Sequence, residues 1–378
     1  MIGRIALGGG MATAAAAGVG YAIARRLTAP VGPRTFDLTV RGVDHDDRGE
    51  LIVLDRTEQT TVPGIYNLWF EHGSWTQLST DILDRGPTRI ARRITGTAPG
   101  FTPKAGDRAS WSGIYYATLA DAGLHARDIT ITTPAGPCPV WRIEGDPSTW
   151  AIHIHGLGST RAGTLRGAVA ANALGYTSFV VSYRNTAEGP RVGTGRTTLG
   201  HTERTDVDEA IGYAVRRGAQ QIVLFGWSMG AAIALQLADH PRHKGLIAAL
   251  VLDSPVLNWT EVIKTNCAHS GLPAPFGHLA IPWLTISPLA RIAGLPDRIP
   301  LRSFDWTSRA ANITTPTLIL HGTRDDSVPI RLSQALRAAR PDLVELETFD
   351  ADHTLCWNSD PDRWQRTATT WLKARVPH

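Results

Sequence analysis

Cysteine is scarce in this chain. Three residues in 378, Cys138, Cys267 and Cys356, cannot form a disulfide framework, so a packed core must stabilise the fold. Excess charge is scarce as well. The 38 basic and 34 acidic side chains leave a formal net charge of +4, and the basic ones form no stripe and do not interleave with aromatics, which argues against a nucleic-acid partner. One stretch lacks charge altogether: Ile5 to Ala24, bounded by Arg4 and by Arg25 and Arg26. Such a stretch is long enough to cross a bilayer as a helix, and its flanking arginines suit an uncleaved anchor over residues 1–27. The expectation is a membrane-anchored protein, with the arginine count leaning towards a cytoplasmic body. The alternative is a signal segment cleaved after Ala22-Ile23-Ala24 and a secreted product.

The length exceeds one typical domain. From Thr35 to about Gly123, short alternating segments such as Phe36 to Arg41 and Glu50 to Asp55 are separated by Gly, Pro and Asp, the pattern of a small β-rich domain. From Ala126 to the C-terminus the pattern changes to strands alternating with helices, which predicts a mostly parallel sheet covered on both faces. Eight strands are expected, near Asp128 to Thr132, Cys138 to Ile143, Trp150 to His155, Thr177 to Ser182, Gln221 to Phe225, Ala248 to Asp253, Thr317 to His321 and Val344 to Phe349. Residues 258–307 form a long excursion with Trp259, Phe276, Trp283 and several prolines, placed as a small cap.

Gly226-Trp227-Ser228-Met229-Gly230 lies between the strand ending at Phe225 and a helix-forming run. That context fits a nucleophile elbow, in which the two glycines let strand and helix cross while Ser228 takes a strained conformation. Asp325 follows the strand Thr317 to His321, and His353 follows the strand Val344 to Phe349. An acid and a base on these loops can reach the serine, in the order serine, acid, histidine. Upstream, His155-Gly156-Leu157-Gly158-Ser159 follows another strand, and the N–H groups of Leu157 and Met229 are placed to form an oxyanion hole.

These motifs, HGLGS, GWSMG, HGTRDDSVP and DADH, resemble those of the α/β-hydrolase superfamily, in particular its serine esterase, lipase and aminopeptidase-like group. The resemblance covers roughly two thirds of the chain. It implies the α/β-hydrolase fold, a mostly parallel eight-stranded sheet with helices on both faces, here preceded by the β-rich domain and the N-terminal transmembrane helix. It also implies Ser228 as nucleophile, Asp325 as orienting acid and His353 as general base, with no cofactor and no metal required. Serine at the elbow, where dehalogenase and epoxide-opening relatives carry aspartate, favours acyl transfer to water.

The implied substrate is a small-molecule acyl ester or thioester, the anchor and apolar cap pointing to a lipid-derived one. An amidase or aminopeptidase is the alternative, and a non-catalytic binding scaffold is the reading of another class. Asp326 and Asp253 are competing acids. His153, His155 and His321 read as structural. Trp227, Arg161, Tyr183 and Arg184 are pocket candidates, and a Cys267–Cys356 bond is a further hypothesis because both residues fall near the site in sequence.

Overall fold

The computed structural model describes residues 2–376, with side chains from residue 14 onwards. A first helix, α1 (Ile2–Leu27), precedes a seven-stranded antiparallel sheet of β1 (Leu38–Thr39), β2 (Gly42–Asp46), β3 (Gly49–Asp55), β4 (Tyr66–Phe70), β5 (Trp75–Asp84), β6 (Arg89–Thr97) and β7 (Arg108–Ser112), in the order β1-β7-β4-β5-β6-β3-β2. Ile52 and Leu54 of β3 point to one face, with Leu68, Phe70 and Ile90, while Leu51 and Val53 pack with Ala91 on the other. The alternation of side chains along a strand produces this split. Strand β2, Gly-Val-Asp-His-Asp, is not expected from its sequence, because its acidic residues lower strand propensity. On a sheet edge that composition is tolerated, and it discourages pairing with another chain.

The second sheet contains β8 (Arg127–Thr133), β9 (Gly136–Ile143), β10 (Asp146–Ile154), β11 (Tyr176–Val181), β12 (Gln221–Trp227), β13 (Ile247–Asp253), β14 (Thr317–Gly322) and β15 (Val344–Phe349). Their order is β15-β14-β13-β12-β10-β11-β9-β8. Strands β11, β10, β12, β13, β14 and β15 pair in parallel, and β8 and β9 close one edge as an antiparallel hairpin. The eight expected strands are all present. On one face α3 (Glu203–Arg216) and α4 (Met229–Ala238) bury Val207, Ile211 and Ile233; on the other, α2 (Leu165–Ala173) and α10 (Pro361–Arg375) bury Ala170, Trp364 and Leu372. Helix α8 (Ile330–Ala339) follows the loop after β14, and the one-turn α9 (Cys356–Ser359) lies between β15 and α10. Helices cover both faces, so the central strands are near-continuous apolar runs rather than alternating ones.

Between β13 and β14 the chain leaves the sheet as α5 (Trp259–His269), a 3-10 segment (Ala274–Ala280), α6 (Ile281–Thr285) and α7 (Ser287–Ile292). The side chain of Asn258 accepts the Glu261 N–H at 3.2 Å and starts α5.

The expected membrane anchor is corrected here. Among the described residues, no helix is long and apolar enough to cross a membrane. The C-terminal half of α1 instead packs on the helices of the excursion. Ala24 is fully buried, Tyr21 meets Trp283 edge to face at 5.1 Å, and Arg25 donates to the Ala293 carbonyl at 3.3 Å. A Cβ added to Gly20 would lie 2.0 Å from the Leu279 carbonyl oxygen. The small residues that resembled a modest membrane span therefore allow close approach of a protein partner. The Ala22-Ile23-Ala24 run, read as a cleavage site, lies inside this docked helix.

Candidate active site

Strand β12 delivers Ser228 into a turn where φ is 53° and ψ −113°, outside the regions a non-glycine residue normally occupies. The geometry persists because its surroundings over-determine it. The Ser228 N–H donates to the Asp253 carbonyl at 3.0 Å, and the Ser228 carbonyl accepts from Ala231 N–H at 3.1 Å. The flanking glycines are sterically required: a Cβ on Gly226 would lie 2.6 Å from Ala231 Cα, and one on Gly230 would lie 2.1 Å from the Ile154 carbonyl oxygen.

His353 reaches the elbow from the loop after β15. Its Nε2 lies 2.9 Å from Ser228 Oγ and its Nδ1 lies 2.8 Å from Asp325 Oδ2. With the carboxylate on Nδ1, that nitrogen carries the proton, so Nε2 accepts from the serine hydroxyl. Asp325 is buried in the loop after β14. Its Oδ1 accepts from the Ser327 and Val328 N–H groups at 3.1 and 2.7 Å, and His321 Nε2 stands 3.2 Å from Oδ2. Burial opposes ionisation of this carboxyl, yet the hydrogen bonds from His321 and His353, the charge of His353 and the Val328 N–H together hold it well below the usual carboxylate range.

The loop after β10 lies directly against the elbow, since a Cβ on Gly156 would meet Ser228 Cβ at 3.2 Å. Met229 opens α4, so its N–H has no acceptor within the helix. Ser228, His353 and Leu157 face a cavity of about 850 Å³. Its wall is mostly apolar: Trp259, Val262 and Ile263 from α5, Val328, and Ile23 and Leu27 from α1. Sequence reasoning misses the contribution of α1, although Ile23 and Leu27 lie one helical turn apart on one face.

Several candidates lie elsewhere. Trp227, Arg161 and Tyr183 are not in the cavity wall, which corrects the pocket expectation for them. Trp227 points into the core between Phe225 and Trp364, because its neighbour Ser228 takes the outward position. Arg161 binds Glu188 at 3.0 Å and lies over the Trp141 ring at 4.1 Å. Tyr183 stacks on His155, with centroids 4.4 Å apart, and its hydroxyl donates to the His155 carbonyl at 2.7 Å, so it supports the glycine-rich loop from below. Arg184 is paired with Asp206 at 2.7 Å.

Asp253 accepts from Trp364 Nε1 at 3.0 Å, and burial raises its carboxyl above the ordinary value; Asp326 is exposed and pairs with Ser327 and His269. His353 Nδ1 bonds Asp325 and neither of these. His153 bonds Ser178 at 3.2 Å, His155 its neighbouring Gly156 carbonyl at 2.9 Å and His321 Ser333 at 2.8 Å. Cys267 borders the cavity and Cys356 lies in the opposite core layer; both are free, which removes the hypothesis of a bond between them.

A mostly parallel sheet covered on both faces, with a serine at a strand-to-helix turn hydrogen-bonded to a histidine and an aspartate on later loops, defines the α/β-hydrolase class. Residues 151–366 match the Alpha/beta hydrolase family, and the chain belongs to it. Residues 39–112 match a family described as a Domain of unknown function (DUF8805). Among curated proteins, an "Uncharacterized protein" of Mycobacterium tuberculosis is 37% identical over 120 residues, which span 32% of this chain and 32% of that protein. The "Putative carbamate hydrolase RutD" of Klebsiella pneumoniae is 27% identical over 225 residues, covering 52% of this chain and 82% of that one. The esterase Pf2001 of Pyrococcus furiosus superposes with a TM-score of 0.53 at 21% identity, covering 68% of this chain and 96% of the esterase; that likeness concerns the fold alone.

Proposed function

We propose that the protein is a serine hydrolase that transfers the acyl group of an apolar ester or thioester to water through an acyl-enzyme on Ser228. The hydrogen-bonded series Ser228, His353, Asp325, opening on a mostly apolar cavity of about 850 Å³ that also includes Arg26 and Asn266, carries this reading. His353 takes the serine proton as Oγ attacks the carbonyl carbon, then gives it to the leaving group; a water deprotonated by the same nitrogen releases the acid. Asp325 holds the imidazole in the tautomer that accepts at Nε2 and stabilises the imidazolium that forms. The N–H groups of Leu157 and Met229 receive the oxyanion, with the N-terminal dipole of α4 adding to the field. The apolar wall from α1 and α5 receives the acyl chain.

Amides and carbamates are the second reading, because the same groups serve them and the similarity to the RutD protein spans most of that chain. Hydrolysis of p-nitrophenyl esters of two to sixteen carbons by the full chain, beside Ser228→Ala, tests the first. Turnover with a chain-length optimum, lost in Ser228→Ala, supports it. Fluorophosphonate labelling of Ser228 without ester turnover would move the assignment to amides or carbamates, and absence of both would remove the enzyme reading.

A further inference from the structure

The acyl transfer gives no task to the β-rich domain, yet that domain is joined to the histidine loop by a narrow polar seam. Its centre is Asn358 on α9, fully buried. The Asn358 Nδ2 donates to the Ile65 carbonyl at 2.8 Å and to the Gly113 carbonyl at 3.0 Å, both on the β-rich side. Its own backbone carbonyl accepts the Ile65 N–H at 2.9 Å. Its Oδ1 accepts from Arg166 Nη1 at 3.0 Å, so every side-chain polar atom is engaged. The surfaces meet closely. A Cβ on Gly64, where φ is +120°, would lie 2.4 Å from the Asn358 carbonyl oxygen, and Trp357 packs on Tyr115 and Tyr116 at 5.7 and 5.3 Å.

Each side of the seam is braced. Within the β-rich domain, buried Arg92 donates to the carbonyls of Thr60, Val62, Gly64 and Ser79, fixing the loop that carries Gly64 and Ile65. On the hydrolase side, Arg166 Nη1 also donates to the Thr354 carbonyl at 2.9 Å, while the Thr354 N–H donates to Ser254 Oγ at 3.0 Å. Thr354 directly follows His353 and has φ of 57°, a genuine outlier for a β-branched residue. Such a conformation is strained and persists only where it is held. It is held by Ser254 at one end and by Arg166 at the other.

We infer that the β-rich domain is a positioning element for His353, acting through Asn358, Arg166 and the strained Thr354 turn. This rests on the reading of His353 as general base. Asn358 touches neither substrate nor the reacting atoms. It fixes Arg166, which fixes the peptide next to the imidazole, and proton transfer between His353 and Ser228 depends steeply on that placement.

The test compares full-length wild type with Asn358→Ala and with Gly64→Ala, which crowds the seam from the β-rich side and removes no group of the hydrolase domain. Turnover of p-nitrophenyl butyrate is expressed per fluorophosphonate-titrated site, so that partial folding does not count. The inference expects kcat to fall about 10- to 100-fold in both, with KM within about twofold and the acid limb of the pH profile displaced. Wild-type kcat per titrated site and an unchanged pH profile, even with a lowered Tm, would overturn it. So would failure of both variants to fold, since the seam would then be a folding brace. Ser228→Ala run alongside separates the two readings: an active Ser228→Ala removes the general-base assignment itself, whereas an inactive one beside normal seam variants removes only the role of the β-rich domain.

Discussion

Leu27, the last residue of α1, and Ser228, at the turn after β12, face the same cavity. The N-terminal helix thus supplies part of the wall against which an acyl chain would lie. Leu27→Ala should deepen the apolar site and move the ester optimum to longer chains; Leu27→Trp should move it to shorter ones. Each change should alter the preference between neighbouring chain lengths by about 1–3 kcal/mol per pair of methylenes. A chain lacking residues 1–27 should lose the optimum altogether. Identical chain-length profiles for wild type and both Leu27 variants would show that substrate does not reach α1.

Two buried carboxylates sit close to Ser228, and their hydrogen bonds separate their roles. Asp325 accepts from His353 Nδ1, whereas Asp253 accepts from Trp364 Nε1. Asp325→Asn would present an amide that favours the wrong imidazole tautomer, and kcat should fall by about 10⁴, the size of the loss that the equivalent change causes in a serine protease triad. Asp253→Asn still offers an oxygen to Trp364, so kcat should change by less than about tenfold. Steady-state kinetics on both variants decide the matter, and the reverse order of effects would exchange the acid assignment.

Much of this arrangement is local in sequence and legible there. Strand periods, the glycines around Ser228 and the loops after β14 and β15 each lie within a few residues of the group they place. The seam is not legible, because Asn358 binds Ile65 and Gly113 across 293 and 245 residues of chain. Nothing in Cys-Trp-Asn-Ser announces such partners. The misreading of α1 has a different cause: alanine and glycine with no charge describe both a weak membrane span and a helix built for close protein contact. Gly20 against Leu279 decides between these, and only tertiary structure contains that contact. Trp227 needs only strand alternation to place it: two residues after Phe225 on β12, it falls on the same sheet face and stacks on that ring in the core.

Arg92 is a buried cation bonded to neutral carbonyls, and burial pushes its guanidinium down to about 10, still charged at neutral pH. Arg92→Met keeps much of the volume and strands the carbonyls of Thr60, Val62, Gly64 and Ser79. The cost should be about 3 kcal/mol or more, concentrated in the β-rich domain. Hydrogen exchange on the full chain should show faster opening of residues 60–65, with protection retained in β12 and β13. Uniform loss across both sheets would mean that the two domains unfold as one unit.

His153 offers a test of stability against pH. Burial pushes its imidazole down to about 3 from an ordinary 6.5, so the folded chain keeps it neutral where the unfolded chain binds a proton. The unfolded state binds more protons below pH 6.5, so stability falls with acidification. This group's contribution is complete above about pH 6.5 and is lost progressively as pH drops towards about 3, at ~1.4 kcal/mol per pH unit. His155, pushed down to about 4 by burial, acts with the same sign. His153→Gln keeps a partner for Ser178 and removes one of the two titrations. The variant should be less stable by about 1 kcal/mol at pH 7. Its stability should then decline less steeply between pH 6.5 and 4.5, so that the gap to wild type narrows on acidification. Urea unfolding at pH 7.0, 5.5 and 4.5 measures this directly, and parallel curves for the two proteins would mean that His153 takes up its proton without unfolding.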